Sequence, residues 1–156
     1  FNKYHDKVPF VKELSRQVSH VASTRGYIKT LLGRKRRFDM WEPRDSWGER
    51  AYSLSEAHAQ YPKQELKRAY THTAMNALIQ GSSADITKSA MIKIYEAGLL
   101  DEIDLKLTVH DELDFSVEPL KQKCFEESLQ IMKTCVDLKV PLKVDVEKGL
   151  NWGTIK

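Results

Sequence analysis

Residues 105–118, LKLTVHDELDFSVE, decide the fold of this chain. Leu105, Leu107 and Val109 alternate with polar residues, and so do Leu113, Phe115 and Val117, which is the period-two signature of half-buried strands. Pairing Val109 with Leu113, Leu107 with Phe115 and Leu105 with Val117 puts all six on one face and leaves His110, Asp111 and Glu112 to form the bend. A bend without glycine uses less favoured backbone angles, which His and Asp tolerate better than most residues. Two adjacent carboxylates at such a bend repel each other, and a Mg²⁺ ion relieves that repulsion. An ordinary polar turn accounts for the same three residues, so the trio alone leaves both readings open.

Helical patterns flank this hairpin. Upstream, apolar rows run from about Lys63 to Ala97 through Leu66, Tyr70, Ala74 and Leu78 and through Met75, Ile79, Ile86, Ala90 and Ile94, long enough for two helices meeting near Gly81. Downstream, Pro119 opens a helix with Leu120, Cys124, Ile131 and Cys135 in one row, ended by Lys139 and Pro141. A last strand is expected at 142–146, LKVDV, and a tail anchored by Trp152. Near the start, Pro9 opens an amphipathic helix bearing Phe10, Leu14, Val18 and Val21, which Gly26 closes. GYIKTLLGRKRRF, residues 26–38, reads as a short hairpin whose second arm is basic. Between Asp39 and Pro62 no period survives, except for a short helix at Leu54 to Gln60. The fold class is α+β, with helices packed on one face of a small antiparallel sheet.

A chain of 156 residues, 41% hydrophobic and 30% charged, suits one soluble domain with a core and excludes disorder throughout. No stretch reaches the roughly 18 apolar residues of a membrane span, and no leader pattern is found, so no membrane partner is expected. Cys124 and Cys135 are expected to be reduced core residues, since on one helix their eleven positions at about 1.5 Å each are far too long to bridge. The net charge is +3, but Leu14 to Phe38 holds seven Lys/Arg and no acid, and subtracting those seven from +3 leaves −4 elsewhere. A local basic patch is the footprint of phosphate contacts, and equally a common solvated face. The chain begins at Phe1 without a start signal, as expected of a piece of something longer.

On the long helical segment, His72, Asn76, Gln80, Ser83 and Thr87 recur at three- and four-residue steps without a carboxylate. Neutral donors such as Asn and Gln bond the N3 and O2 acceptors of the DNA minor groove irrespective of sequence, whereas acids are repelled by phosphate. Capping, solvation or local backbone bonding explains the same stripe.

In combination, the order and spacing of these segments resemble one family. LTVHDELDFSVE looks like the third sequence motif of family A DNA polymerases, a VHDE hairpin between apolar strands. HTAMNALIQGSSADITKSAMI resembles the family's helix carrying QGTAAD, and GYIKTLLGRKRRF resembles its GYVETLFGRRR segment. VPLKVDVEKGLNW resembles its closing strand and GxNW-like tail. The resemblance covers essentially the whole chain. It implies that Asp111 is the aspartate that binds two catalytic Mg²⁺ ions, that Glu112 is a neighbouring acid assisting less directly, and that His110 lies against the primer end. Asn76 and Gln80 match side chains that bond the minor-groove edge of the terminal base pairs, and His72 stands where many relatives carry Arg. Arg34, Lys35, Arg36 and Arg37 fall on a basic hairpin of structural or DNA-proximal role.

The resemblance further implies a two-metal nucleotidyl transfer, with primer-template DNA and deoxynucleoside triphosphates as partners. The family's other aspartate, in a DYSxxELR-like motif, and its nucleotide-binding helix RxxxKxxxFxxxYG are not in this sequence. Both belong before Phe1, so the N-terminal portion of the same polymerase is an expected partner and the chain alone is expected to be inactive. On this reading residues 1–66 end the fingers and 67–156 form the C-terminal half of the palm, in the cytoplasm of a bacterial or phage-infected cell. The alternative is a DNA-binding or interaction module without catalysis. A single-subunit RNA polymerase is a weaker relative, since that group usually follows the aspartate with a hydroxyl residue, where Glu112 stands here.

Overall fold

A computed structural model describes residues 7–45 and 50–155. The chain divides into two compact units, Phe1–Ser82 and Ser83–Lys156.

In the first unit, α1 (Pro9–Arg25) begins on a proline whose missing N–H costs nothing in a first turn. It ends where Gly26 adopts φ 75° and donates its N–H to Ala22 O at 3.0 Å. Val18 and Ala22 of α1 join Ile28, Phe38 and Ala74 in a buried core, with Leu14, Val21, Ala77 and Leu78 packed against it. Phe10, placed on the same face by its spacing, is 67% exposed, so the apolar stripe meets the core only from Leu14 onward.

The basic hairpin forms as expected. β1 (Tyr27–Lys29) pairs antiparallel with β2 (Lys35–Arg37), Tyr27 opposite Arg37 and Lys29 opposite Lys35. Thr30 N–H donates to Arg34 O and Gly33 N–H to Thr30 O, both at 2.9 Å, and Gly33 takes φ 88°. This is the three-residue hairpin loop that ends in a left-handed glycine.

The stretch read as a connection contains β3 (Trp41–Pro43), which pairs with β4 (Leu66–Arg68). Between them α2 (Leu54–Gln60) lies where its pattern put it, with the Glu56 carboxylate accepting from the Ser53 N–H at 3.1 Å and hydroxyl at 2.7 Å. The long helix starts later than expected. Pairing with β3 draws residues 66–68 into a ribbon, and Tyr70 adopts φ 61°, which no right-handed helix accommodates. A 3₁₀ turn at Thr71–Thr73 then leads into α3 (Ala74–Glu96), which is one helix, unbroken at Gly81.

In the second unit, Ala90 and Ile94 of α3, Leu99, Ile103 and Cys135 are buried. Burying each of the two isoleucines contributes about 1.5–3 kcal/mol. The hairpin of β5 (Asp104–Val109) and β6 (Glu112–Ser116) is antiparallel, and the Phe115 ring meets Phe125 of α4 (Gln122–Thr134) edge-on at 5.9 Å. Ser89 Oγ donates to Cys135 O at 3.2 Å, tying α3 to the end of α4. Both cysteines are free thiols.

Three expectations here are corrected. Pro119 opens a 3₁₀ turn, with Leu120 94% exposed, and the α-helix spans only Gln122 to Thr134. Residues 142–146 form no strand, because alternation alone does not hold an extended segment that has no neighbouring ladder. Trp152, in a 3₁₀ turn at Trp152–Thr154, is 67% exposed and so is not the buried anchor expected of it. The α+β class stands. Among the described residues its antiparallel pairing is divided into three two-stranded ribbons, and no helix is long and apolar enough to cross a membrane.

Candidate functional site

The register of the β5–β6 hairpin differs from the one its apolar pattern suggested. Val109 pairs with Glu112, Thr108 with Leu113 and Leu107 with Asp114, and a bulge then brings Leu105 opposite Phe115. The bend therefore contains two residues, His110 and Asp111, and Glu112 is the first residue of β6. Two-residue loops suit the twist of paired strands, and they need positive φ at the first central position or at both. His110 supplies it with φ 54°. A non-glycine residue held there costs about 1–3 kcal/mol, a strain that concentrates at functional sites. His110, Asp111 and Glu112 are all exposed.

The bulge also redistributes the two faces. Leu105, Thr108, Leu113 and Phe115 share one, while Leu107, Val109, Glu112 and Asp114 share the other. Asp114 is partly buried, and among the described residues its Oδ2 is a buried oxygen without a hydrogen-bond partner. Its sequence position marked it only as one polar residue in an alternating strand. Asp111 and Glu112 offer the hard oxygen donors that Mg²⁺ takes, usually one or two carboxylates with waters and phosphates completing the shell. Among the described residues no group of three or more His, Cys, Asp or Glu is arranged to hold a metal ion. The pair fits part of a magnesium site and falls short of a whole one.

The residues of the polar stripe lie on α3 or in the 3₁₀ turn before it. Asn76 and Gln80 are exposed on α3, and His72 is exposed in the 3₁₀ turn before it. In the same unit, Lys35, Arg36 and Arg37 are exposed on β2, with Lys35 Nζ 4.9 Å from the Tyr27 ring centre and the Arg36 guanidinium 5.7 Å from that of Phe38. An open cleft of about 500 Å³ runs along these three residues to Phe38, Met40 and Tyr70. Arg34 is placed differently from its basic neighbours, with Nη2 donating to the Gly81 carbonyl of α3 at 2.9 Å. Nothing in the sequence distinguished it from the other three cations.

The chain belongs to DNA polymerase family A, whose family model matches residues 1–154. It is 41% identical over 150 residues to a DNA-directed DNA polymerase of Pseudomonas phage M6, covering 96% of this chain and 18% of that polymerase. It is 36% identical over 161 residues to DNA polymerase I of Caldicellulosiruptor bescii, covering 99% of this chain and 16% of that enzyme. A solved structure of the POL domain of Pol1 from M. smegmatis, in complex with DNA primer-template and dNTP, matches with a TM-score of 0.75 and 32% identity, over 99% of this chain and 24% of that one. The chain thus spans less than a fifth of these curated relatives.

Proposed function

We propose that this chain is the C-terminal part of a DNA-directed DNA polymerase, comprising the end of the fingers to residue 66 and the C-terminal half of the palm from residue 67. In this reading Asp111 is its ligand for catalytic Mg²⁺. The observation that carries the reading is the bend itself, where a strained His110 and a two-residue turn present Asp111 in the open with Glu112 beside it. When bound, Mg²⁺ lowers the pKa of a primer 3′-hydroxyl and neutralises triphosphate charge. Asp111 holds its carboxylate ready as a fixed anionic ligand at the tip, and Glu112, anchored in the ladder opposite Val109, raises the local negative charge. His110 flanks the primer end. Asn76 and Gln80 donate hydrogen bonds to minor-groove acceptors of the terminal base pairs, with His72 next along the stripe. Lys35, Arg36 and Arg37 supply sequence-independent attraction for phosphate.

The remaining ligands and the nucleotide-binding helix are assigned to an N-terminal portion of the polymerase, in a bacterial or phage-infected cell. The low coverage of the relatives supports this division. Primer extension on a primed template tests it, using the 156-residue chain alone and then joined to the N-terminal portion. No nucleotide addition is expected from the chain alone, and template-dependent addition from the joined protein. Robust extension by the chain alone overturns the division. DNA binding without extension by the joined protein favours instead a non-catalytic DNA-binding module.

A further inference from the structure

The tip of the basic hairpin is fastened to α3 directly beside Gln80. Arg34 Nη2 donates to Gly81 O at 2.9 Å, and the Leu31 N–H donates to Ser82 Oγ at 3.0 Å. That hydroxyl in turn donates to Leu78 O at 2.7 Å, so one side chain joins the loop amide to the helix backbone. The approach is close enough to require glycine, since a Cβ on Gly81 would lie 2.7 Å from Thr30 Cγ2 and 3.3 Å from Arg34 Nη2. Thr30 is buried and β-branched, and its Oγ1 is 3.2 Å from Arg34 O, so its methyl group has little freedom to yield.

We propose that this contact is a clasp that positions Gln80, and that Gly81, Ser82 and Arg34 are positioning residues for reading the terminal base pair. The inference rests on the minor-groove role given to Gln80 above. Residues 81 and 82 are held from the hairpin side, which fixes the rotation of α3 at the residue before them. Gln80 remains exposed, and its direction is set by that rotation. The Arg34 guanidinium is engaged with the α3 backbone through this contact, while Lys35, Arg36 and Arg37 are the cations of the same ribbon assigned to phosphate.

The test uses the joined polymerase and measures the ratio of mismatched to matched primer-end extension, together with the melting temperature. Gly81→Ala should raise that ratio in the direction set by Gln80→Ala, by about two- to tenfold, the range one hydrogen bond commands. Thr30→Ser removes the obstructing methyl and keeps the hydroxyl, so the Thr30→Ser/Gly81→Ala double variant should return the ratio to within about twofold of the parent. If Gly81→Ala does not fold, Arg34→Gln removes the 2.9 Å bond without adding bulk and should move the ratio the same way. Gln80→Ala without effect overturns the minor-groove reading and this inference with it. An effect of Gln80→Ala that neither Gly81→Ala nor Arg34→Gln shares overturns the clasp alone. So does a lowered melting temperature with an unmoved ratio, or a double variant no better than Gly81→Ala.

Discussion

Val109 pairs directly with Glu112 across the hairpin, so the turn between them is only His110 and Asp111. The positive φ of this turn falls on His110, at 54°, rather than on a glycine. The side chain at position 110 is therefore constrained by the backbone whatever else it does. His110→Val places a β-branched residue at positive φ and should destabilise the joined polymerase by about 1–2 kcal/mol relative to His110→Asn, since asparagine tolerates this region. Denaturant unfolding followed by circular dichroism compares the two. Equal stabilities would mean that the turn relaxes to another form.

The hairpins and helices were legible where the relevant interactions are local. Pro9, Gly26 and the spacing of Leu14, Val18 and Val21 defined α1 because caps and one apolar stripe suffice for a helix. The Gly33 loop defined the basic hairpin for a similar reason. Residues 66–68 were misread as helical because their pairing with Trp41–Pro43 comes from distant sequence, which no local period records. The β5–β6 hairpin is legible in the alternation, but its register is offset by one at the tip because the turn takes two residues rather than three, and the bulge at Leu105/Leu107 then moves Leu105 to the face opposite Leu107; alternation alone signals neither. His110, Asp111 and Glu112 stand out in the sequence as a polar trio at a bend, and the roles given to them come from the family resemblance. The role of Arg34 was hidden among four consecutive basic residues, since only the structure shows that it bonds Gly81 O.

Cys135 gives a pH-dependent expectation. Burial pushes its thiol above the ordinary value, and the thiol contacts Met132 O at 3.3 Å and Ile86 O at 3.6 Å. A thiol whose folded pKa is raised keeps its proton longer folded than unfolded. Its contribution to stability is complete below the unfolded value, near 8.5, and is lost as pH rises from there through the folded value. Unfolding measured between neutral and strongly alkaline pH should therefore show a loss that Cys135→Ala lacks. Alkylation at mildly alkaline pH should label the more accessible Cys124 well before Cys135. Rapid labelling of Cys135 in the folded protein would contradict its burial.

Asn76 and Gln80 project from the first two turns of α3, and both are exposed. If they read the terminal base pairs, each lost bond to a fixed acceptor should weaken matched extension by about 0.5–1.5 kcal/mol. The penalty should fall less on mispaired ends, whose acceptors are displaced, so discrimination should decline. Steady-state extension from matched and mispaired primers by Asn76→Ala and Gln80→Ala measures both effects. An unchanged ratio in both variants would indicate that the stripe faces solvent or another part of the protein.

Asp111 separates a metal ligand from a structural turn residue. It occupies the second position of the bend, is exposed, and does not carry the positive φ, so the turn itself makes no demand for a carboxylate there. Asp111→Asn preserves size and turn preference while removing the negative charge. The fold and DNA binding should survive, and extension with Mg²⁺ should fall by about a hundredfold or more, the scale on which loss of one charge-stabilising group is felt. Glu112→Gln should be milder, within about tenfold, because Glu112 lies in the ladder beside the tip and its carboxylate adds charge rather than a direct bond. Primer extension, primer-template binding and circular dichroism on the joined polymerase distinguish the possibilities. Near-parent extension by Asp111→Asn, or activity lost only in step with unfolding, rules out Asp111 as the metal ligand. Severe loss in Glu112→Gln with little effect in Asp111→Asn would assign the metal to the strand position and leave the tip as a turn.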